Sequence, residues 1–416
     1  MRIHGNAFEC TLPEHWSELA APDRVHAASP FPVKGVAPQM IMREFRVTPG
    51  PEIMAAAAQS ALRVVDDSLV IQVEPITRHG AERRRIWALT PVASEEDGHT
   101  VTALTVRDLA VMEGLLADVT LTLPLAHWKP QDSHLAILDS LRLRPVAERL
   151  TPNGTASFAT PTLDDVATRR DGVPREDLSV VPRPAPALPH GPAELSSAAA
   201  AVLVNNIQVR GDHVPAGEVG DELVAAHLLR ADRHLSVTGH HYAHHVLNGT
   251  DWRISMHPGD RQIRFWTTED TTALLVPHPD EEGRSLLGWC TTDDLFRLLL
   301  TWVAPAPAWP RDLTLRLGRR RLRAKVEQGR NPGRNHAGDT AEFLRHDWTS
   351  LSLTDMWAAP VLEWINSTGG GSAVVHIDRP LRRVSLRQDP EEPLWQQLLT
   401  TLRTHKPTHL RSRRAR

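Results

Sequence analysis

The stretch VPRPAPALPHGPAELSS, residues 181–197, sets the strongest limit on how this chain can fold. Each proline fixes φ near about −65° and removes an amide donor, so a run of this density reads as an extended, semi-rigid spacer between separately folded parts. The residues before it mix Thr, Pro, Asp and Arg without sustained periodicity, which extends the expected linker to 146–197. A chain of 416 residues is also too long for one ordinary core. The break predicts one unit over residues 1–145 and further folded material after 197.

In the first unit FECTLP and APQMIMREFRV read as strands, and PGPEIMAAAAQSALRVV as an amphipathic helix with apolar residues at Ile53, Ala57, Ala61 and Val64. LVIQVEPITR, RRRIWALTPV and HTVTALTVRDLAVMEGLLADVTLTLP alternate apolar and polar residues as successive antiparallel strands do. PQDSHLAILDSLRLRP closes the unit as a helix capped near Asp132 or Ser133.

This order, together with FECTLPEHW near the start and ILDSLRL near the end, resembles the Mog1/PsbP-like fold, and in particular its actinobacterial LpqN-like branch. The resemblance spans about the first 145 residues. It implies a binding or assembly module and carries no catalytic residue over to this chain. LpqN-like proteins are typically exported lipoproteins, whereas no lipobox or signal stretch precedes Phe8, so a cytoplasmic setting is expected.

After the linker, LRADRHLSVTGHHYAHHVLNGTDWRISM, from Leu229, can be laid against LRHDWTSLSLTDMWAAPVLEWINSTGGGSAVVHI, from Leu344. Both continue through hairpins into a helix that opens on acidic residues, Asp293 and Asp294 or Glu391 and Glu392, where the helix dipole favours them. VNNIQVRG and DLTLRLG read as the strand ahead of each copy. The expected architecture is α+β throughout: an antiparallel sheet with flanking helices, a Pro-rich linker, then a duplicated α+β domain with repeats at 198–310 and 311–404 and a basic tail at 405–416. Thr238 should then lie over Thr354, and Phe296 near Trp395.

His240, His241, His244 and His245 fall within six residues. As a helix capped by Thr238, the segment places Tyr242, Ala243, Val246 and Leu247 on one side and the histidines on the other, facing away from the core. The i,i+4 pairs His240/His244 and His241/His245 suit two imidazoles sharing a metal. No glutamate stands where a metalloprotease helix carries its general base, so a partner-facing or solvated surface is the favoured reading and a metal-dependent hydrolase the alternative.

Arg319, Arg320, Arg321 and Arg323 form a second candidate surface, expected on a strand and loop in which Leu313, Leu315 and Leu317 point inward. With a formal net charge of −3 the whole molecule lacks the positive field of a general nucleic-acid binder. The sequence holds 43 Arg and 4 Lys, a bias of GC-rich codons, and two cysteines far apart, which fit reduced thiols. STGGGSA leads from the expected helix of the second copy into a strand rather than opening a helix as a phosphate loop does. No apolar run is long enough to span a membrane. These features predict a non-enzymatic, cofactor-free scaffold with a protein partner and no membrane span, with nucleic acid the disfavoured partner; the LpqN-like resemblance and the codon bias together imply a chaperone-like partner role in an actinobacterial type VII-like secretion system.

Overall fold

The computed structural model describes residues 1–48, 52–63, 68–93, 100–128, 134–152, 154–158, 176, 178, 181–211, 213–214, 216–259, 261–303, 307, 312–330, 338–355, 360–368, 371–378, 383–389 and 392–404. It has two compact units, one built from Met1–Pro184 with Pro307–Pro310 and one from Ala185–Ala306 with Arg311–Arg416.

The first unit runs β1 (Arg2–His4), β2 (Phe8–Thr11), β3 (Ser17–Leu19), β4 (Val25–Ala28), β5 (Gln39–Arg46), α1 (Ile53–Arg63), β6 (Leu69–Arg78), β7 (Ala81–Ala93), β8 (Thr100–Met112), β9 (Leu115–Pro124), α2 (Leu135–Asp139), β10 (Arg142–Leu143) and β11 (Gly154–Thr155). The main sheet has the order β3-β4-β5-β9-β8-β7-β6, with β11 beside β5. Its long hairpins are set by two-residue turns. His79-Gly80 and Glu113-Gly114 all have positive φ, so each turn twists in the sense that matches its strands. Ala57, Ala58, Ala61 and Leu62 of α1 pack on Val73, Ile86, Leu109 and Leu116. The expected cap of α2 at Asp132 or Ser133 lies outside the described residues, and α2 starts at Leu135 behind His134.

The second unit runs β12 (His190–Ser196), α3 (Ser197–Gln208), α4 (Glu218–Ala225), α5 (Val237–Asn248), β13 (Thr250–His257), β14 (Arg261–Thr267), β15 (Thr271–Pro277), β16 (Arg284–Thr291), α6 (Thr292–Val303), β17 (Leu313–Gly318), α7 (Arg319–Gln328), α8 (Gly338–Arg345), β18 (Trp348–Asp355), β19 (Pro360–Ser367), β20 (Gly371–Asp378), β21 (Arg383–Gln388) and α9 (Leu394–Thr404). All ten strands join one sheet in the order β12-β16-β15-β14-β13-β18-β19-β20-β21-β17. That order reads the same from both ends: an edge strand, then a four-stranded meander, meeting at the antiparallel β13–β18 pair.

The register carries the same symmetry. A step of 99 residues takes Ile254 to Leu353, and these two residues face each other. It also takes the pair Trp252–Phe265 to Leu351–Trp364, and Leu287 to Leu386. The pairing is therefore two-fold symmetric about Ile254–Leu353. On one face, α3 and α5 cover Trp266, Ala273 and Leu287, while α7 and α8 cover Ile365, Ala373 and Leu386. The alternate residues Phe265, Leu274, Trp364 and Val374 are buried on the opposite face, where α6 and α9 close on the sheet. Phe296 and Trp395, both buried, stand at equivalent places in those helices.

Several details differ from the sequence expectation, and the helix expected in the second copy ahead of STGGGSA is, over its described part Pro360–Ser367, strand β19 paired with β18 and β20. Thr238 lies in α5, but Thr354 lies in β18 opposite Arg253, so LSVT and LSLT are not equivalent. The alternation of LSLTD matches that of WRISM, because both supply the central strands, and the shared Leu-Ser-x-Thr is a local coincidence. VNNIQVRG ends helix α3 rather than forming a strand. The leading strand is β12, inside the expected linker of 146–197. As an edge strand with a register shift between His190 and Ala193 it tolerates Pro192, whose missing amide is not needed for pairing. β11 likewise ties residues 154–155 to the first unit's sheet.

Candidate binding cleft

RRRLRAKVEQ forms α7 because Leu322 and Val326 share one face and pack on the core below, while Gly329 in the left-handed region ends the helix. Arg319, Arg320, Arg321 and Arg323, expected on a strand and loop, thus stand exposed on a helix. The expected strand is β17, with Leu313, Leu315 and Leu317 buried. Lys325 is buried and its Nζ lies 5.7 Å from the Trp348 ring centroid, a cation–π contact. Burial lowers its pKa, opposed by Asp347.

Three of the four arginines line a cleft of ≈ 790 Å³ between α7 and the sheet. Leu322, Val326, Val375, Ile377 and Val384 supply its apolar wall, Arg319, Arg320 and Arg323 its basic rim, and the turn at His257, Pro258 and Gly259 one boundary. Arg321 is outside it. Glu363 lines the sheet side; burial raises its pKa, while Arg319 pulls it down. A smaller hollow of ≈ 280 Å³, lined by Arg316, Arg383, Arg387 and His376, shares Ile377 and Val384 with the cleft. Among the described residues only Arg323 of this arginine set is in an ion pair, with Glu327 at 3.5 Å. Three arginines in the first turn oppose the helix dipole, at a cost of about 0.3–1 kcal/mol each. A carboxylate arriving there would meet both the guanidinium donors and the dipole's positive end. The arrangement can hold anions and aliphatic side chains together.

The histidines do not form one exposed stripe. His240, His241 and His244 are exposed, but His245 is only 2% exposed, whereas Leu247, expected in the core, is 44% exposed. The helix begins two residues earlier than expected and is capped by Ser236, whose Oγ accepts from the Gly239 amide at 3.0 Å. His245 turns inward toward β15, with Nε2 3.3 Å from Thr271 Oγ1. Burial holds its pKa down to about 4, assisted by His241 and His244. His241 and His245 meet edge to face with centroids 4.9 Å apart. Among the described residues no three His, Cys, Asp or Glu side chains group as a metal site. In the second half the helix ahead of the central strand is α8, GDTAEFLR, which has no histidine.

A charged cluster inside the first unit was not foreseen. Arg83 is fully buried on β7 and donates to the carbonyls of Leu138 at 3.1 Å and Leu141 at 2.5 Å, at and just beyond the end of α2, where the Leu138 carbonyl also accepts from the Leu141 amide at 3.2 Å. Arg85 bridges Asp108 at 3.0 Å and Asp139 at 2.9 Å, and Arg84, on the other face, donates to Glu176 at 2.8 Å. Burial raises Glu74, beside this group, to about 7, with Arg85 opposing. The only sequence signal was three consecutive arginines inside an otherwise apolar strand. These groups are partnered with one another and tie α2 to the sheet.

No known family profile matches the sequence, and no curated protein matches it. Among solved structures the chain is similar to the cyanobacterial PsbP of Synechocystis, with 12% identity over 35% of this chain and 92% of that one, at a TM-score of 0.26. LpqN of Mycobacterium tuberculosis, named as involved in cell envelope biogenesis, matches with 11% identity over 33% of this chain and 83% of its own, at 0.26. The Ran-binding protein Mog1p of Saccharomyces cerevisiae matches with 9% identity over 34% and 93%, at 0.24. These are Mog1/PsbP-like folds, and each match covers about a third of the chain.

Proposed function

We propose that this chain is a non-enzymatic protein-binding or scaffold protein whose second unit arose by internal duplication and docks a protein partner. The α7 cleft carries the reading: exposed arginines, of which among the described residues only Arg323 is in an ion pair, stand over an aliphatic wall, a surface suited to anchoring a partner rather than to moving protons or attacking a bond. Burying an aliphatic wall is worth about 25 cal/mol per Å², and the guanidiniums set orientation. No cofactor enters this reading. No described helix is long and apolar enough to cross a membrane, and the proposed setting is the cytoplasm.

The narrower role is that of a chaperone-like partner in an actinobacterial type VII-like secretion system. It is supported by the LpqN-like resemblance of FECTLPEHW and ILDSLRL and by the arginine-for-lysine bias. Purifying the full chain from a native high-GC actinobacterial host, then rebuilding any complex from pure components, tests both levels. A stoichiometric complex with a secreted substrate of such a system is expected. A partner unrelated to secretion removes the narrower role. Substrate turnover by the pure chain with no reproducible partner removes the scaffold reading.

A further inference from the structure

We infer that the α7 cleft receives an acidic segment of a partner protein in which carboxylates alternate with aliphatic side chains. The inference rests on the scaffold reading and adds the chemistry of what is bound. Two observations select this occupant. Arg319 and Arg323 lie one helical turn apart on the same face of α7 and, with Arg320, present three guanidiniums to the cleft against two carboxylates, Glu327 and Glu363, which leaves the lining net positive. The opposite wall is aliphatic, with Ile377 40% exposed although it lies on the same sheet face as buried Val384.

A ligand that is only anionic would satisfy the rim and leave this wall wet. One that is only apolar would desolvate the guanidiniums without pairing them, which costs more than burial returns. A segment carrying both kinds of side chain meets both walls. Arg316, Arg383 and Arg387 alternate with Leu317, Val384 and Leu386 and so project from the opposite face of the sheet, which confines the acidic segment to the α7 cleft itself. A nucleic-acid strand would use the arginines but has no counterpart for the aliphatic wall, so base and phosphate recognition is the less fitting chemistry.

The test titrates the full chain into a short fluorescein-labelled peptide of alternating glutamate and leucine or valine, followed by anisotropy. Controls replace every aliphatic residue by serine, every glutamate by lysine, or the peptide by oligothymidylate of similar charge. Saturable binding of the first peptide is expected, weakened at least about tenfold in each control. It should also weaken about tenfold in the Arg319→Glu, Arg323→Glu double variant and in Ile377→Asp. All three positions are exposed, and unchanged circular dichroism and unfolding midpoints show that the variants fold. Failure of the acidic peptide to bind, equal binding of the serine peptide or of oligothymidylate, or indifference to the substitutions overturns the inference. A protein partner held equally by the wild type and the double variant also overturns it, yet leaves the scaffold reading standing.

Discussion

Lowering the pH from 7.5 to 5 should weaken the second unit through His245. Its side chain is 2% exposed, and the Thr271 hydroxyl lies 3.3 Å from Nε2. Nδ1 is buried with no hydrogen-bond partner among the described residues. Burial first, and then the proximity of His241 and His244, hold the folded pKa near about 4, below the ordinary 6.5. The folded state therefore resists protonation while the unfolded chain accepts it. The unfolded state binds more protons between these two values, so stability falls as the pH drops below 6.5 and the loss is complete below about 4. At 1.36 kcal/mol per unit, the loss is about 2 kcal/mol at pH 5 and about 3 kcal/mol in full. Urea unfolding of the wild type and of His245→Leu, followed by hydrogen exchange in peptides from α5 and β15, isolates this contribution from other titrations. The stability difference between the two proteins should shift by about 2 kcal/mol in favour of the variant between pH 7.5 and pH 5. A difference that does not change with pH would refute the buried, neutral imidazole.

Arg83→Met should destabilise the first unit by about 3–5 kcal/mol in urea, because it removes one donor from each of the Leu138 and Leu141 carbonyls and leaves buried Asp108 one guanidinium short. A loss below 1 kcal/mol would show that water replaces the side chain. Gly239→Ala should cost about 1–3 kcal/mol, since its Cβ would stand 2.2 Å from the Leu228 carbonyl oxygen, and thermal unfolding measures it. Ile254→Ala and Leu353→Ala should each cost about 2–5 kcal/mol and combine non-additively, because the two residues face each other at the centre of the sheet. Strict additivity in the double variant would argue against their direct packing.

Much of this architecture was legible in the residues. Alternation located β5 to β9, and apolar repeats located α6 and α9, with Phe296 and Trp395 at matching places; the acidic opening holds for α6, whose first turn carries Asp293 and Asp294, but α9 starts at Leu394, past Glu392. Those signals work because burial on one face imposes a period that sequence alone displays. The mismatch of Thr238 with Thr354 arose where the halves differ most: α5 is long and rich in histidine, whereas the helix before β18 is short. A four-residue likeness then outweighed a weaker but longer strand alternation. His245 was misplaced because a helical wheel gives an angle, not the depth of the neighbouring strand, and β15 reaches under that edge of α5. The arginines of α7 were found, but their cleft was not, since its other wall comes from β20 and β21, more than fifty residues further along the chain. Buried Arg83 and Arg84 carry no hydropathy signal, because their partners are a helix end and a distant carboxylate.

Site-specific photo-crosslinking most directly tests whether the α7 cleft docks a protein. A photoreactive phenylalanine analogue placed at Ile377 in the full chain, and in a control at Val237, 90% exposed on α5, would be irradiated in a native host and the captured peptides sequenced by mass spectrometry. The account predicts that Ile377, and not Val237, captures an acidic, aliphatic-bearing segment of one protein, and that Arg319→Glu with Arg323→Glu abolishes the capture. Capture at Ile377 of segments without that character, or capture untouched by the charge reversal, would contradict it.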